Sequence, residues 1–158
     1  MRIGIGGASN SGKTSISKQL AIRLDIPLIH QDHYYKPSIP VINGVQDWES
    51  NEAFRFFEFR QKVESETHCI VEGIAVFDQI DEFDFKFWLR GEKEECRQRR
   101  KDRTYPGWKD PPNYFDDFVW KKHVEREQSL DSSVIIIEPQ SLDSILSQIL
   151  EYILNCTK

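Results

Sequence analysis

The stretch Gly7-Ala8-Ser9-Asn10-Ser11-Gly12-Lys13-Thr14 decides the fold, because it matches G-x-x-x-x-G-K-[ST] and follows the apolar run Ile3-Gly4-Ile5. This order predicts a strand, a glycine-rich loop and a helix from about Lys13 to Leu24. The glycines let backbone N–H groups surround phosphates, Lys13 neutralises the β- and γ-phosphates, and the Thr14 hydroxyl binds Mg²⁺. A turn that only caps a helix needs neither side chain. The stretch therefore predicts a nucleoside triphosphate site.

Composition limits the classes of protein that the chain can represent. Its 158 residues predict a single domain, 1-158, and its net charge of −5 argues against a general nucleic-acid binder. Neither a signal-peptide pattern nor a long apolar run is present, so we expect a cytoplasmic protein without a membrane partner. Cys69, Cys96 and Cys156 lack the spacing of a zinc site or a disulfide framework, and we expect reduced thiols.

The second predicted strand, Ile26 to His30, delivers Gln31-Asp32-His33-Tyr34-Tyr35-Lys36-Pro37 to the ligand-binding edge of the sheet. At this edge, Asp32 can accept a proton from a substrate hydroxyl and help to hold Mg²⁺. The alternative is that Asp32 serves as a helix cap or turn residue. His33 is assigned no catalytic role.

A third buried strand, His68 to Glu72, ends in an acid followed by a glycine. An acid in this place typically orients Mg²⁺ or its water, so Glu72 is a candidate metal residue; the alternative is an acid in a turn. Phe83 to Leu89 and Val134 to Ile137 predict two more strands, and a helix from about Leu142 to Leu154 closes the domain. The expected fold class is α/β, with a central five-stranded parallel sheet and helices on both faces.

The segment between the second and third strands is predicted to contain a loop over residues 37–47 and a helix from near Ser50 to about Glu64. Trp48 and Glu49 lie just before that helix. Taken alone, Trp48 is equally consistent with packing under the loop, and Glu49 with compensation of the helix dipole.

A basic run, Arg97-Gln98-Arg99-Arg100-Lys101-Asp102-Arg103, precedes a turn rich in proline and glycine. Such a run is usually a solvated helix face, and it can also bind RNA. Beside a phosphate loop, the better interpretation is a short lid, about 97–113, whose arginines close over the phosphoryl group. A helix from Tyr114 to about Ser129 follows.

The chain resembles the nicotinamide riboside kinases, which belong with the uridine kinases in the nucleoside monophosphate kinase-like branch of phosphate-loop folds. The resemblance covers nearly the whole chain and rests on the phosphate loop, on residues 31–37, on Val71-Glu72-Gly73, on Glu94-Glu95-Cys96 with its arginines, and on Asp110-Pro111-Pro112-Asn113-Tyr114-Phe115-Asp116. It implies transfer of the γ-phosphoryl group of ATP to a ribose 5′-hydroxyl, most directly that of nicotinamide riboside.

The resemblance also implies a role for each site residue. The catalytic residues are Asp32, Lys13 and Arg103, and the metal residues are Thr14, Asp32 and Glu72. ATP is expected to contact the loop and lid: Gly7, Ala8, Ser9, Asn10, Ser11, Gly12, Lys13, Thr14, Ser15, Arg99 and Arg103. The nucleoside is expected to contact Asp32, Tyr34, Tyr35, Trp48, Glu49, Arg100 and Tyr105. Two departures from the family stand out, because Glu49 is longer than the usual aspartate and Trp48 is larger than the usual tyrosine.

Three functions follow as hypotheses: a nicotinamide riboside kinase, a kinase for uridine, cytidine or another nucleoside, and a non-catalytic nucleotide-binding or RNA-binding module. The third predicts no catalytic acid at the end of the second strand, yet Asp32 is there. Between the kinases, a cationic nicotinamide ring between Trp48 and Tyr105 gains about 0.5–2 kcal/mol of cation–π attraction that neutral uracil lacks. We expect ATP and Mg²⁺ as cofactors, a small nucleoside as substrate, and a monomer or weak homodimer.

Overall fold

The computed structural model describes residues 1–157 and is built around a parallel sheet. In chain order, the strands are β1 (Arg2–Gly7), β2 (Leu28–His30), β3 (Val41–Ile42), β4 (Val45–Gln46), β5 (Cys69–Glu72), β6 (Phe85–Leu89) and β7 (Val134–Ile137). The helices are α1 (Lys13–Leu24), α2 (Phe56–Glu64), α3 (Lys93–Asp102), α4 (Lys121–Gln128) and α5 (Leu142–Cys156). Across residues 1–157, no helix is both long and apolar enough to cross a membrane.

The five-stranded sheet has the order β2-β5-β1-β6-β7, and all its pairs are parallel. This confirms the predicted fold class. Since parallel strands end at the same edge, the sheet brings together the residues that follow β1, β2 and β5. The register places His30 beside Glu72 and Glu72 beside Ile5. The phosphate loop therefore emerges from the central strand, between the ends of its neighbours.

The two faces of the sheet carry separate apolar cores, because successive strand residues point to opposite faces. On one face Ile70 packs in a cluster with Ile16 of α1 and Ile149 of α5. On the other face Val71 packs with Phe59 of α2. The alternation within β5 thus explains why helices cover both faces of the sheet.

The segment before α2 differs from the prediction. Residues 37–47 contain a small antiparallel hairpin, β3 with β4, rather than an irregular loop. Helix α2 begins at Phe56, not near Ser50, because Phe54 is extended and pairs with Tyr35. The Phe54 side chain is buried and its ring stacks on Tyr35 at 4.4 Å. Burial of this ring therefore outweighs the local helix pattern.

The predicted helix from Tyr114 to about Ser129 is present, but its first part has a wider turn than an α-helix. Residues Phe115–Trp120 form a π-helical segment that continues directly into α4. Both Phe115 and Val119 are buried there, in a cluster with Ala8 of the phosphate loop. Such wide turns occur often beside functional sites. Here the π-helical segment packs against Ala8 of the phosphate loop.

His123 is expected to make stability depend on pH. It is buried, stacks parallel to Trp88 at 5.4 Å, and burial lowers its pKa to about 4. The neutral ring is favoured in the folded state, so its contribution is complete above the unfolded pKa of about 6.5 and falls as the pH drops towards 4. We expect a loss of about 2 kcal/mol in the free energy of unfolding between pH 7.5 and pH 5.

Urea unfolding at the two pH values measures this loss, and His123→Phe is the comparison because it retains an aromatic ring without a titrating group. The variant should lose about 2 kcal/mol less than the wild type over the same interval. The same pH dependence in both proteins would assign the effect to other groups.

Candidate active site

The phosphate loop has the backbone conformation that its glycines allow. Gly7 and Gly12 have φ values of 142° and 96°, a region that other residues rarely adopt. A side chain on Gly7 would also meet the Leu89 carbonyl oxygen of β6. Gly12 is the N-cap of α1, so the loop passes directly into the positive end of that helix. The geometry is that of an anion-binding loop at a helix N-terminus.

Glu72 joins the phosphate loop to the end of β2. Its Oε1 atom accepts a hydrogen bond from the Thr14 hydroxyl at 3.1 Å and lies 2.6 Å from His30 Nδ1. Glu72 is buried, so these contacts fix its carboxylate at the loop. The structure thus brings two of the predicted metal residues, Thr14 and Glu72, into direct contact. His30 is a contact that the sequence interpretation missed, and its position at a strand end was the only signal for it.

Lys13 and Asp32 both line the cavity at the phosphate loop, and the charge of each influences the pKa of the other. The Lys13 ammonium is buried and donates to the Ala8 carbonyl oxygen at 2.5 Å. Burial lowers its pKa, while Glu72 and Asp32 oppose that shift. Desolvation by the surrounding protein raises the pKa of Asp32 and Glu72 adds to the rise, whereas Lys13 and Arg103 oppose it. Asp32 thus lies among the charges that a phosphoryl-transfer site requires.

Trp48 and Glu49 follow the hairpin in the chain, and both line the same cavity. Glu49 is buried, and burial raises its pKa although Arg100 and Arg126 oppose the rise. Arg126 of α4 donates to the Glu49 carbonyl oxygen at 2.6 Å, which fixes this part of the backbone. The Trp48 ring contacts Tyr35 edge-on at 5.2 Å. The longer acid is therefore accommodated in a buried position beside an aromatic wall.

The basic segment forms α3 and reaches the phosphate loop through its arginines. Arg99 donates to the Asn10 carbonyl oxygen at 3.2 Å, and Arg100 donates to the Ser9 hydroxyl at 3.2 Å. Arg103 follows the last residue of α3, and its guanidinium lies 5.0 Å from the centre of the Tyr105 ring. Arg99 and Arg100 therefore reach the loop directly, and all three arginines line the cavity although Arg99 and Arg103 stay exposed.

Two acids of the Asp110–Asp116 motif hold this arrangement. Asp110 accepts two hydrogen bonds from Arg100, at 2.6 and 3.0 Å. Asp116 accepts two from Arg97, at 2.5 and 2.9 Å. Paired guanidinium–carboxylate contacts of this kind are directional. The motif therefore anchors α3 at two places.

One cavity of about 580 Å³ unites most of the predicted site residues. Its predicted lining residues are Ser9, Asn10, Gly12, Lys13, Thr14, Ser15, Asp32, Tyr35, Trp48, Glu49, Glu72, Arg99, Arg100, Arg103 and Tyr105. Four predicted residues do not line it: Gly7, Ala8, Ser11 and Tyr34. Tyr34 packs instead against Phe59 of α2 at 5.2 Å.

The cavity also has lining residues that the sequence interpretation did not assign: Ile74, Pro106, Trp108 and Leu142. Leu142 opens α5 and lies beside the phosphate loop, since a side chain on Gly12 would come within 3.3 Å of it. The Pro106-Gly107 pair was a recognisable turn signal near Trp108. Leu142 had no comparable signal, because the fold alone brings α5 to the loop.

The donor set fits a hard divalent cation. The Thr14 hydroxyl and the carboxylates of Asp32 and Glu72 are oxygen ligands of the kind that Mg²⁺ prefers. Within residues 1–157 no group of three or more His, Cys, Asp or Glu side chains converges as a metal cage. Mg²⁺ usually binds through one or two protein oxygens together with phosphates and water.

Fold and site together define a P-loop kinase. Deoxyadenosine kinase from M. mycoides, solved with bound dATP, superposes with a TM-score of 0.64 at 14% identity over 97% of this chain and 99% of that one. Shikimate kinase from Acinetobacter baumannii, solved with shikimate, gives 0.66 at 17% identity over 98% and 93%. At these identities the likeness concerns the fold.

By sequence, the chain is similar over most of its length to nicotinamide riboside kinases. It is 29% identical to nicotinamide riboside kinase 2 of Mus musculus over 97% of this chain and 95% of the relative. It is 28% identical to nicotinamide riboside kinase 1 of Rattus norvegicus over 94% and 91%. No protein-family model matches the chain. The resemblance seen in the sequence motifs is thereby confirmed.

Proposed function

We propose that this protein transfers the γ-phosphoryl group of ATP to the 5′-hydroxyl of nicotinamide riboside, which yields nicotinamide mononucleotide and ADP. One observation carries the proposal: a single cavity joins the phosphate loop to Asp32, to the half-buried Trp48 and to the buried Glu49. A triphosphate on the loop and a nucleoside beside Trp48 would therefore meet at Asp32. The similarity to nicotinamide riboside kinases supports this choice of substrate.

At the nucleotide end, the loop N–H groups and Lys13 would bind the β- and γ-phosphates, with Arg99 and Arg103 closing from α3. Thr14, Glu72 and Asp32 would hold Mg²⁺, which neutralises phosphate charge when bound. Thr14 already contacts Glu72 at 3.1 Å, so these oxygens need little rearrangement. Residues of about 97–113 would act as the lid that carries these arginines over the phosphates.

At the reacting centre, the 5′-oxygen forms a bond to the γ-phosphorus while the bond from that phosphorus to the β–γ bridging oxygen breaks. The hydroxyl proton passes to the Asp32 carboxylate, and ADP leaves with the bridging oxygen. The positive charge of Lys13 and Arg103 is available for the phosphoryl oxygens in the transition state.

At the nucleoside end, Glu49 would accept hydrogen bonds from ribose hydroxyls. Arg100 and Tyr105 line the same part of the cavity, and Tyr35 contacts Trp48. Arg126 fixes the backbone at Glu49. The Glu49 side chain would therefore hold the ribose at a defined distance from Asp32. We further propose that the enzyme acts in the cytoplasm as a monomer or weak homodimer.

A panel of nucleosides tests the proposed substrate. Nicotinamide riboside, uridine, cytidine and adenosine are each incubated with ATP and Mg²⁺, and kcat/KM is measured for each. We expect nicotinamide riboside to have the highest value. Turnover restricted to the pyrimidine nucleosides would replace the proposal with a uridine or cytidine kinase.

Arg103→Ala is expected to lower kcat about ten- to a hundredfold with only a small change in ATP affinity. A single arginine finger can contribute about 10³–10⁵, and Arg99 remains in the variant to supply part of the charge. Arg103→Lys should recover only part of the rate, because lysine lacks the planar guanidinium fork. Steady-state kinetics and ATP titration measure the two effects. A weaker ATP affinity with unchanged kcat would make Arg103 a binding residue only.

A further inference from the structure

The tip of the proposed lid is a tight turn that carries an aromatic residue on each side. In Tyr105-Pro106-Gly107-Trp108 the Trp108 N–H donates to the Tyr105 carbonyl oxygen at 3.1 Å, and Gly107 has φ 72°. Proline followed by a glycine at positive φ is the signature of a type II turn. The turn therefore sets Trp108 beside Tyr105, and both line the cavity.

Asp110 fixes the Trp108 side chain in this place. The indole N–H donates to Asp110 Oδ1 at 2.8 Å, and the same carboxylate holds the Arg100 guanidinium. The half-buried Trp108 ring meets Trp48 at 5.9 Å and Tyr114 at 5.4 Å, both edge-on. Trp48 and Trp108 thus form two adjoining walls, named here the aromatic corner. One wall comes from the lid and the other from the segment that carries Glu49.

Two other aromatic rings nearby, those of Tyr105 and Tyr114, already have cationic neighbours. The guanidinium groups of Arg100 and Arg103 each lie 5.0 Å from the centre of the Tyr105 ring, and Arg100 lies 5.4 Å from that of Tyr114. Within residues 1–157, no lysine or arginine lies over Trp48 or Trp108 in this way. Both indoles line the cavity, so each presents part of its surface to a ligand bound there.

We infer that Trp108 is a specificity-determining residue: with Trp48 it forms a corner that selects nucleosides whose base is a flat, positively charged ring. The inference deepens the proposed function and rests on it. A cationic ring against an indole face gains electrostatic attraction that a neutral ring of the same shape lacks. The Tyr105 ring already has two guanidinium groups beside it, so it would attract a cationic base less strongly than the two indoles do. Asp110 helps by balancing the charge of Arg100 beside the corner.

The test compares two substrates that differ in charge but hardly in shape. Nicotinamide riboside has a cationic ring, whereas benzamide riboside has a neutral ring in which carbon replaces the nitrogen. The ratio of their kcat/KM values is measured for the wild type, Trp108→Leu and Trp108→Phe. Trp120→Leu is the matched control, because Trp120 is also a half-buried tryptophan but packs against Phe115 outside the cavity.

In Trp108→Leu we expect the preference for the cationic substrate to fall about 2- to 30-fold, the range of a single cation–π contact. Trp108→Phe should retain part of the preference, and Trp120→Leu should retain all of it. The KM for ATP should not change, which separates the effect from general damage to the lid. An unchanged ratio in Trp108→Leu would overturn the inference while leaving the proposed function intact. No turnover of either substrate by the wild type would instead overturn the proposed function and the inference with it.

Discussion

Lys13→Ala is expected to reduce phosphoryl transfer by about 10³-fold or more while the protein remains folded. The Lys13 ammonium is buried at the N-terminus of α1 and donates to the Ala8 carbonyl oxygen, so its charge is held at the phosphate loop. Burial lowers its pKa because it disfavours the charged form, and Glu72 and Asp32 offset this only in part, so a bound anion would favour the ammonium further. ATP supplies that anion, and its negative charge is redistributed in the transition state. Single-turnover kinetics with saturating ATP measures the loss.

Lys18→Ala is the matched control for this experiment, because Lys18 lies on the same helix but is exposed. It should leave the rate unchanged, and circular dichroism should show the same folded signal for both variants. If Lys13→Ala retained normal turnover, the phosphate-loop assignment would be wrong.

Asp32→Asn is expected to lower kcat by a factor of about 10²–10⁴, the usual contribution of a positioned general base. ATP should still bind to this variant. Asparagine keeps the shape of the side chain but cannot accept the proton of the 5′-hydroxyl. Asp32 lines the same cavity as Lys13 and Arg103, the residues proposed to meet the transferred phosphoryl group. Rapid-quench measurement of the chemical step detects the change directly.

Asp25→Asn is the comparison for Asp32→Asn. Asp25 is an exposed C-cap of α1 with φ 53°, a conformation that asparagine also tolerates. This variant should keep the wild-type rate. A loss in Asp32→Asn confined to the KM of the nucleoside would make Asp32 a substrate-holding residue instead of a base.

The sequence predicted the parts of the fold that depend on local pattern. Helix α1 begins and ends where the loop motif and apolar spacing placed it, at Lys13 and Leu24. The strand that ends at Glu72 was predictable, because a buried apolar run followed by an acid and a glycine has few other structures. Thr14 and Glu72 were each predicted to be metal residues, and they lie in direct contact at 3.1 Å.

Features that depend on distant contacts were less predictable. The predicted start of α2 was wrong, because Phe54 is stabilised more by burial against Tyr35 than by continuing a helix. Tyr34 follows Asp32 closely in sequence, yet the short turn after β2 directs it towards Phe59 and away from the cavity. Neither outcome can be read from neighbouring residues alone.

The nucleoside end of the cavity shows the same limit. Trp48 and Glu49 were assigned through family resemblance, and both line the cavity. Trp108 was not assigned, although the turn beside it was visible in the sequence. Its role in the wall depends on the contact with Asp110 and on the approach of Trp48, which only the folded chain brings together.

The most direct test of the account follows the phosphoryl group itself. ATP labelled at the γ-phosphate is incubated with Mg²⁺ and nicotinamide riboside, and in parallel with its 5′-deoxy analogue; phosphorus–proton coupling then locates the label in the product. The account predicts labelled nicotinamide mononucleotide with the phosphate on the 5′-oxygen, in equal amount to ADP, and no labelled nucleotide from the analogue. Label found only in inorganic phosphate, or on another ribose hydroxyl, would contradict it.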